Sequence, residues 1–280
     1  MGETRIRDPT EVERKLAAIR KGGASQLHVV SDFDRTLTKA FERGERVHGA
    51  VALLREHAYL TPDYPERAFA LYDHYHPIEV DERIPVSERA RKMGEWWDKA
   101  LALMVGCGMS LSVVEDIVEK DLVVYREGAL GLLGALHERN IPVLVFSAAL
   151  GDIIRLSLKR KGCLYPNVHI ISNFFDYDKD GKVRGYASKS FVHAFNKDES
   201  QLRGTPYERA IAGRGNVLVL GDSIADRHMV DGMRHDTVLS VGFLNEKEEE
   251  LLPAFSREYD AVITGDGPMD YALGVVKTVR

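Results

Sequence analysis

Leu27-His28-Val29-Val30-Ser31-Asp32-Phe33-Asp34-Arg35-Thr36 is the stretch on which the fold turns. Its first five residues form a short apolar run, the shape of a strand buried on both faces of a parallel sheet. The run stops on two aspartates spaced two apart. Residues two apart at a strand end point the same way, so both carboxylates can face one pocket. Taken alone, Asp-x-Asp reads equally well as the cap of a turn.

Working outward, further strand-like runs occupy 142–146, 168–171, 217–220, 237–241 and 261–263, with helical patterns at 127–139 and 152–161 between them. Strands separated by helices predict an α/β fold, an open parallel sheet with helices on both faces. Ligands of such sheets bind at the carboxyl ends of the strands. Three of these ends carry Asp32 with Asp34, Ser147, and Asp222. Toward the N-terminus, Asp8-Pro9-Thr10-Glu11 opens a helix that Gly22-Gly23 stops. From about 47 to 125 the pattern is helical, with a stretch ending near 58 and others at 68–75, 86–105 and 111–120. The expected organisation is a core of residues 1–43 and 126–280, with a helical cap of residues 44–125 inserted over the ligand-binding edge.

The 280 residues are 44% hydrophobic and 29% charged, ordinary for a chain with a substantial core. A net charge of −5 offers no global basic field to a nucleic acid polymer, so an anionic substrate needs local cations. No apolar run reaches the length of a membrane span, and the charged N-terminal stretch does not read as a signal peptide. A cytoplasmic location and a monomer are expected. Cys107 and Cys163 lie outside any Cys-x-x-Cys pair and read as idle thiols. The histidines lack zinc-ligand spacing. Asp176-Tyr177-Asp178-Lys179-Asp180-Gly181 imitates a calcium loop, but its twelfth position is Ala187 where a glutamate is needed, so a surface hairpin is expected. The acidic run from Glu246 to Glu250 reads as a solvated helix face.

Gly221-Asp222-Ser223-Ile224-Ala225-Asp226 adds two carboxylates after another strand. Hard cations such as Mg²⁺ take oxygen ligands, and four acids at two strand ends suit one; helix capping is the bland alternative. Ser147, followed by Ala148-Ala149-Leu150-Gly151, offers a hydroxyl beside free backbone N–H groups that can hold phosphate oxygens. Lys197 alone would read as a surface residue.

These four pieces, in this order, resemble the motifs of the haloacid dehalogenase superfamily of phosphotransferases. The likeness extends to the cytosolic type III pyrimidine 5′-nucleotidases through Phe146-Ser147-Ala148-Ala149-Leu150-Gly151-Asp152, Tyr165-Pro166-Asn167-Val168, Ile171-Ser172-Asn173-Phe174, Phe195-Asn196-Lys197, Ile78-Glu79-Val80-Asp81 and Glu95-Trp96. It covers about 27 to 263. The resemblance implies that Asp32 attacks phosphorus and that Asp34 serves as acid, then base. It implies that Asp32, the backbone carbonyl of Asp34, and Asp222 ligate Mg²⁺ with Asp226 behind them. Ser147, the Ala148 N–H and Lys197 would hold the phosphoryl group. Having an aspartate at 34 is phosphatase-like, since dehalogenases lack one there and ion-pumping ATPases carry threonine.

By the same resemblance, Glu79 and Trp96 contact the nucleoside. A plainer reading makes Met93, Trp97, Ala100 and Met104 one helical stripe of cap core, with Trp96 beside it and Glu79 a surface acid. Ala100 stands where family members carry a substrate-contacting serine, which leaves a purine or modified base open. The expected function is a Mg²⁺-dependent 5′-nucleotidase acting on nucleoside 5′-monophosphates, pyrimidines preferred, with a small-molecule substrate as sole partner. The rivals are a phosphatase of a phosphorylated amino acid or sugar, and a silent binding protein of the same fold.

Overall fold

The computed structural model describes residues 2–57, 59–81, 83–188, 191–198 and 201–280. Its seven-stranded sheet is built around β2 (Leu27–Ser31), flanked by β9 (Asn216–Gly221) and β5 (Val143–Leu150). Beyond β5 lies β6 (Val168–Asn173). Beyond β9 lie β10 (Thr237–Leu244), β11 (Ala261–Thr264) and β1 (Thr4–Ile6). Every pairing is parallel except β1 on β11.

Alternation along the strands builds two core layers. Val29, Val143, Val145, Leu218 and Leu220 enter one hydrophobic cluster, while Val30, Leu144, Phe146, Val217 and Val219 enter another. A period of two on a sheet covered on both faces explains why these runs are apolar throughout. Full burial of each such side chain contributes about 1.5–3 kcal/mol.

The first helix, α1 (Pro9–Gly22), is capped as its sequence implies. Asp8 accepts from the N–H groups of Thr10 and Glu11 at 3.0 and 3.1 Å, and the chain leaves through Gly23 at φ 69°. After β2 come a two-strand hairpin, β3 (Phe41–Glu42) with β4 (Glu45–Arg46), and then four helices. These are α2 (Ala50–Glu56), α3 (Tyr64–Val80), α4 (Val86–Gly106) and α5 (Leu111–Glu119). No strand of the large sheet falls among the described residues of this segment. Then α6 (Ala129–Glu138) precedes β5, and α7 (Gly151–Arg160) follows it. The expected hairpin is β7 (Phe175–Tyr177) against β8 (Val183–Tyr186), turned by Asp178, which accepts from the N–H groups of Asp180 and Lys182. The chain ends with α8 (Pro206–Ala210), α9 (Glu248–Glu258) and α10 (Asp270–Lys277). No described helix is long and apolar enough to cross a membrane.

Several elements differ from the pattern expected. Helix α3 is longer than 68–75 at both ends and carries Pro77 inside it, so Glu79 sits in a last helical turn. Strand β5 runs past Ser147 to Leu150, with an irregular register between Phe146 and Leu150. Glu246 is no solvated helix face: it lies ahead of α9 and pairs with Arg35 at 2.9 Å and with Arg46. Both cysteines are free and buried.

Candidate active site

The carboxyl ends of β2, β5 and β9 lie side by side, because Ser31 pairs with both Val145 and Leu220. Asp32 keeps the sheet register, its N–H donating to Leu220 O at 2.9 Å. The chain then folds tightly: the N–H groups of Leu37 and Thr38 both return to Phe33 O, and Arg35 adopts φ 60°. Phe33 is fully buried while Asp32 and Asp34 lie on either side of it in sequence. The carboxylate of Asp34 accepts from Ala50 N at 3.3 Å, where α2 begins. A Cβ on Gly49 would come within 2.7 Å of an Asp34 oxygen, so the approach of α2 requires glycine there.

On β9, Gly221 is needed for a similar reason, since an added Cβ would lie 2.2 Å from the Cβ of Asp226. Ser223 and Asp226 close a reciprocal cap on the 3-10 turn Ile224–His228. Tyr259 donates to Ser223 O at 2.5 Å. Capping was the bland reading for this acid, and here it coexists with a second duty. The other oxygen of Asp226 accepts from Lys197 Nζ at 2.9 Å, and Lys197 also reaches Asp32 at 2.5 Å.

Lys197 comes from a loop held by its own polar side chains. Asn196 accepts from His193 N and donates to Phe191 O, and His193 Nδ1 accepts from Phe195 N. Asn173, buried at the end of β6, ties this loop to the last residues of β5, just after Ser147. Its Nδ2 donates to Ala148 O at 3.0 Å and to Val192 O at 2.9 Å, while its Oδ1 accepts from Val192 N at 2.8 Å. Ser147 is buried, its Oγ accepting from Ala149 N at 3.2 Å.

One oxygen each of Asp32, Asp222 and Asp226 lie within 4.8 Å of one another. Asp226, expected behind the metal ligands, thus stands among the clustered oxygens. Burial raises the Asp32 pKa to about 7; Lys197 opposes that rise, and Asp226 and Asp34 add to it. Burial, then Asp32 and Asp226, push Asp222 well above the carboxylate range. Burial also raises Asp34, against the Ala50 N–H. For Lys197, burial works against the charge, but Asp226 and Asp32 prevail and hold the ammonium above its usual range. An all-oxygen, buried, mutually repelling set is the chemistry that a hard divalent cation stabilises.

A cavity of about 280 Å³ opens from this cluster into the helical segment. Lys197, Ala148, Asp222 and Asp226 form one end, while Glu79, Trp96, Tyr72 and Arg55 belong to the other walls. Asp32 and Ser147 adjoin it through Lys197 and Ala148. The stripe of Met93, Trp97, Ala100 and Met104, read from sequence as packing, lines the cavity too. Met93 and Met104 are nonetheless buried, so one face serves both purposes. Trp96 stacks on Tyr75 with centroids 5.9 Å apart and 10° between the planes. Glu79 accepts from His76 at 3.3 Å when that ring carries the proton on Nδ1.

Sequence reasoning passed over Gly49, Asn173 and Arg126. Arg126 is 2% exposed and donates to Thr36 O, Gly267 O, Arg35 O and Asn245 Oδ1, fastening the turn that follows Asp34. Asn173 lay inside a quoted motif. Nothing local signals the other two, because their partners are remote in the chain.

A sequence profile described as pyrimidine 5′-nucleotidase (UMPH-1) matches residues 35–280. The chain belongs to the pyrimidine 5′-nucleotidase family. Members similar to it include the human 7-methylguanosine phosphate-specific 5′-nucleotidase, 33% identical over 98% of this chain and 91% of that protein. The protein of the same name from Drosophila melanogaster is 33% identical over 95% of this chain and 84% of that one. Among solved structures, cytosolic 5′-nucleotidase IIIB bound to cytidine superposes with a TM-score of 0.88, at 30% identity over 98% of this chain and 93% of that one. A probable phosphoserine phosphatase from Vibrio cholerae shares the fold, with a TM-score of 0.55 at 11% identity over 91% of this chain and 66% of that one. This pyrimidine 5′-nucleotidase family member is therefore a phosphomonoester hydrolase with a haloacid dehalogenase-like fold.

Proposed function

We propose that the protein hydrolyses nucleoside 5′-monophosphates through a phosphorylated Asp32, with Mg²⁺ as cofactor, and that its base site takes pyrimidines and N7-methylated guanine. The observation that carries this reading is the cavity joining the Lys197–Asp32–Asp226 cluster to Glu79 and an aromatic wall.

Residues 44–125 act as the cap that completes the site over the core of residues 1–43 and 126–280. Asp32 attacks phosphorus as the P–O5′ bond breaks, and Asp34 delivers its proton to the departing oxygen. Burial favours the protonated form of Asp34 that this step needs. Water then attacks the phosphorylated Asp32, giving its proton to Asp34 as the bond to Asp32 breaks and phosphate leaves. Ser147 and the Ala148 N–H orient the phosphoryl oxygens, and Lys197 balances their charge. Asp32, the Asp34 carbonyl and Asp222 would hold Mg²⁺, with Asp226 supporting them. The ion supplies charge neutralisation around the transferring group.

At the far end, carboxylate oxygens of Glu79 accept from base N–H groups, as cytosine and 7-methylguanine both offer. The face of Trp96 turned away from Tyr75 suits a flat and, for 7-methylguanine, cationic ring. Ala100 leaves room where a serine would narrow the wall. The names of the similar human and fly enzymes and the cytidine in the similar structure support both base classes. The name of that structure also supports a cytosolic location.

The test is Asp32→Asn with a substrate panel. The variant should fold with unchanged circular dichroism and lose at least roughly 10³-fold in kcat, the scale lost when an activated nucleophile is removed. In the wild type, cytidine or 7-methylguanosine 5′-monophosphate should exceed sugar phosphates, phosphoserine and p-nitrophenyl phosphate in kcat/KM. Retained turnover in the variant defeats the covalent route. A wild-type panel led by phosphoserine or a sugar phosphate defeats the nucleotide assignment.

A further inference from the structure

We infer that Arg55 is a specificity residue that reads a carbonyl oxygen on the base. The inference rests on the nucleotidase reading and extends it to a residue no motif marks.

Helix α2 works as a ruler. It starts at Ala50, whose N–H touches the carboxylate of Asp34, the proposed acid on the leaving oxygen. Val51 and Arg55, one turn apart on the same face, both line the cavity. Five residues of helix place the Arg55 backbone about 7.5 Å farther from the reacting end than Ala50. A pentose spans that kind of gap, so the Arg55 side chain lies at the depth of a base.

What the guanidinium meets there is aromatic. Its central carbon sits 4.5 Å from the centroid of Tyr72 and 5.5 Å from that of Phe69. Stacking leaves the planar edge of the group free to donate. Arg55 Nε is sealed from solvent and has no hydrogen-bond partner, so the outer Nη groups are the donors that a base would meet. A guanidinium can only donate and the Glu79 carboxylate can only accept. Together they select a base that carries a carbonyl oxygen together with N–H groups. Uracil, cytosine and 7-methylguanine meet both demands; adenine has no carbonyl.

The alternative is that Arg55 merely clamps α2 to α3 through Tyr72 and Phe69. Substituting Arg55→Met removes the donors and retains an apolar stem, and Arg55→Gln restores a neutral NH2 donor group. Steady-state kinetics should be run on uridine 5′-monophosphate, 7-methylguanosine 5′-monophosphate and ribose 5-phosphate, with melting temperatures of each variant. The ratio of kcat/KM between each nucleotide and ribose 5-phosphate should fall roughly 10- to 100-fold in Arg55→Met, mainly through KM, the scale set by one lost hydrogen bond to a buried charged group. Arg55→Gln should recover part of it. Equal losses on all three substrates, or an unchanged ratio, overturn the inference while leaving the nucleotidase reading intact. A wild type that prefers neither nucleotide to ribose 5-phosphate sinks both.

Discussion

Replacing Arg126 with methionine should destabilise the fold and slow catalysis together. The guanidinium donates to Thr36 O and Gly267 O at 2.7 Å each, to Asn245 Oδ1 at 2.9 Å and to Arg35 O, and lies 3.1 Å from Asp266. Not all of these acceptors are orphaned by the change. Arg35 O keeps Asn245 Nδ2 at 3.0 Å, and Asp266 keeps the N–H groups of Ala40 and Phe41, both at 3.0 Å. Thr36 O, Gly267 O and Asn245 Oδ1 lose the guanidinium as a donor. At about 1–3 kcal/mol for a buried group left unsatisfied, offset by relaxation and by methionine packing on Phe243, the expected loss is about 3–5 kcal/mol. That is a large fraction of the roughly 5–15 kcal/mol that typically holds a fold together. Urea unfolding at neutral pH measures it directly, and Arg126→Lys should recover only part, because an ammonium cannot reproduce the fork. Burial lowers the Arg126 pKa to about 10, so the group stays charged in this assay. Because Thr36 and Arg35 follow Asp34 directly, kcat should fall as well. A loss below about 1 kcal/mol, or full kcat in a clearly destabilised variant, would refute this account.

Two other substitutions follow from the geometry. Gly49→Ala should lower kcat about tenfold or more with little change in melting temperature, because its Cβ would press within 2.7 Å of the Asp34 carboxylate; a fully active variant contradicts the close approach. His28 is fully buried, contacts Tyr207 Oη at 2.7 Å, and has its pKa lowered to about 3 by burial, with His235 and Arg214 adding to it. Its folded pKa lies below the ordinary value of about 6.5, so between the two the unfolded chain binds the extra proton and stability rises with pH. The contribution is complete above about pH 6.5 and is lost as pH falls toward 3, at about 1.4 kcal/mol per unit. His28→Gln should flatten the stability–pH curve near pH 5 by that slope, and parallel curves for the two proteins would count against it.

The sheet was readable because each central strand is short, apolar on both faces and bounded by a polar turn, as at Val29-Val30-Ser31-Asp32. The charged, exposed edge strand Thr4–Ile6 carries no such signal, since it is stabilised by pairing with β11 rather than by burial. Pro77 hid the end of α3 beyond residue 75, because a proline ordinarily marks a helix boundary. The strand pattern put residues 32, 34, 147 and 222 at the carboxyl edge of one sheet without saying which strands are neighbours, and Lys197 joined them only through the resemblance. Their spatial relation depends on strand order, and β2 lies between two strands distant from it in sequence. Arg126 and Arg55 were silent for the same reason: an arginine in a helical or loop context looks solvated until its neighbours are known. The cavity-facing role of Met93 and Trp97 was masked by periodicity, which reports that a face is covered but not by what.

Asn173 has a consequence for how such an enzyme can diversify. One carboxamide fastens the backbone beside Ser147 to the backbone leading to Lys197, so the two cannot drift apart without breaking either its bond to Ala148 O or both of its bonds to Val192. The cradle is set when the chain folds, and no binding energy need be diverted to assembling it when substrate arrives. Mutations on α3 and α4 would then reshape the cavity wall while the groups at the sheet edge stay as they are.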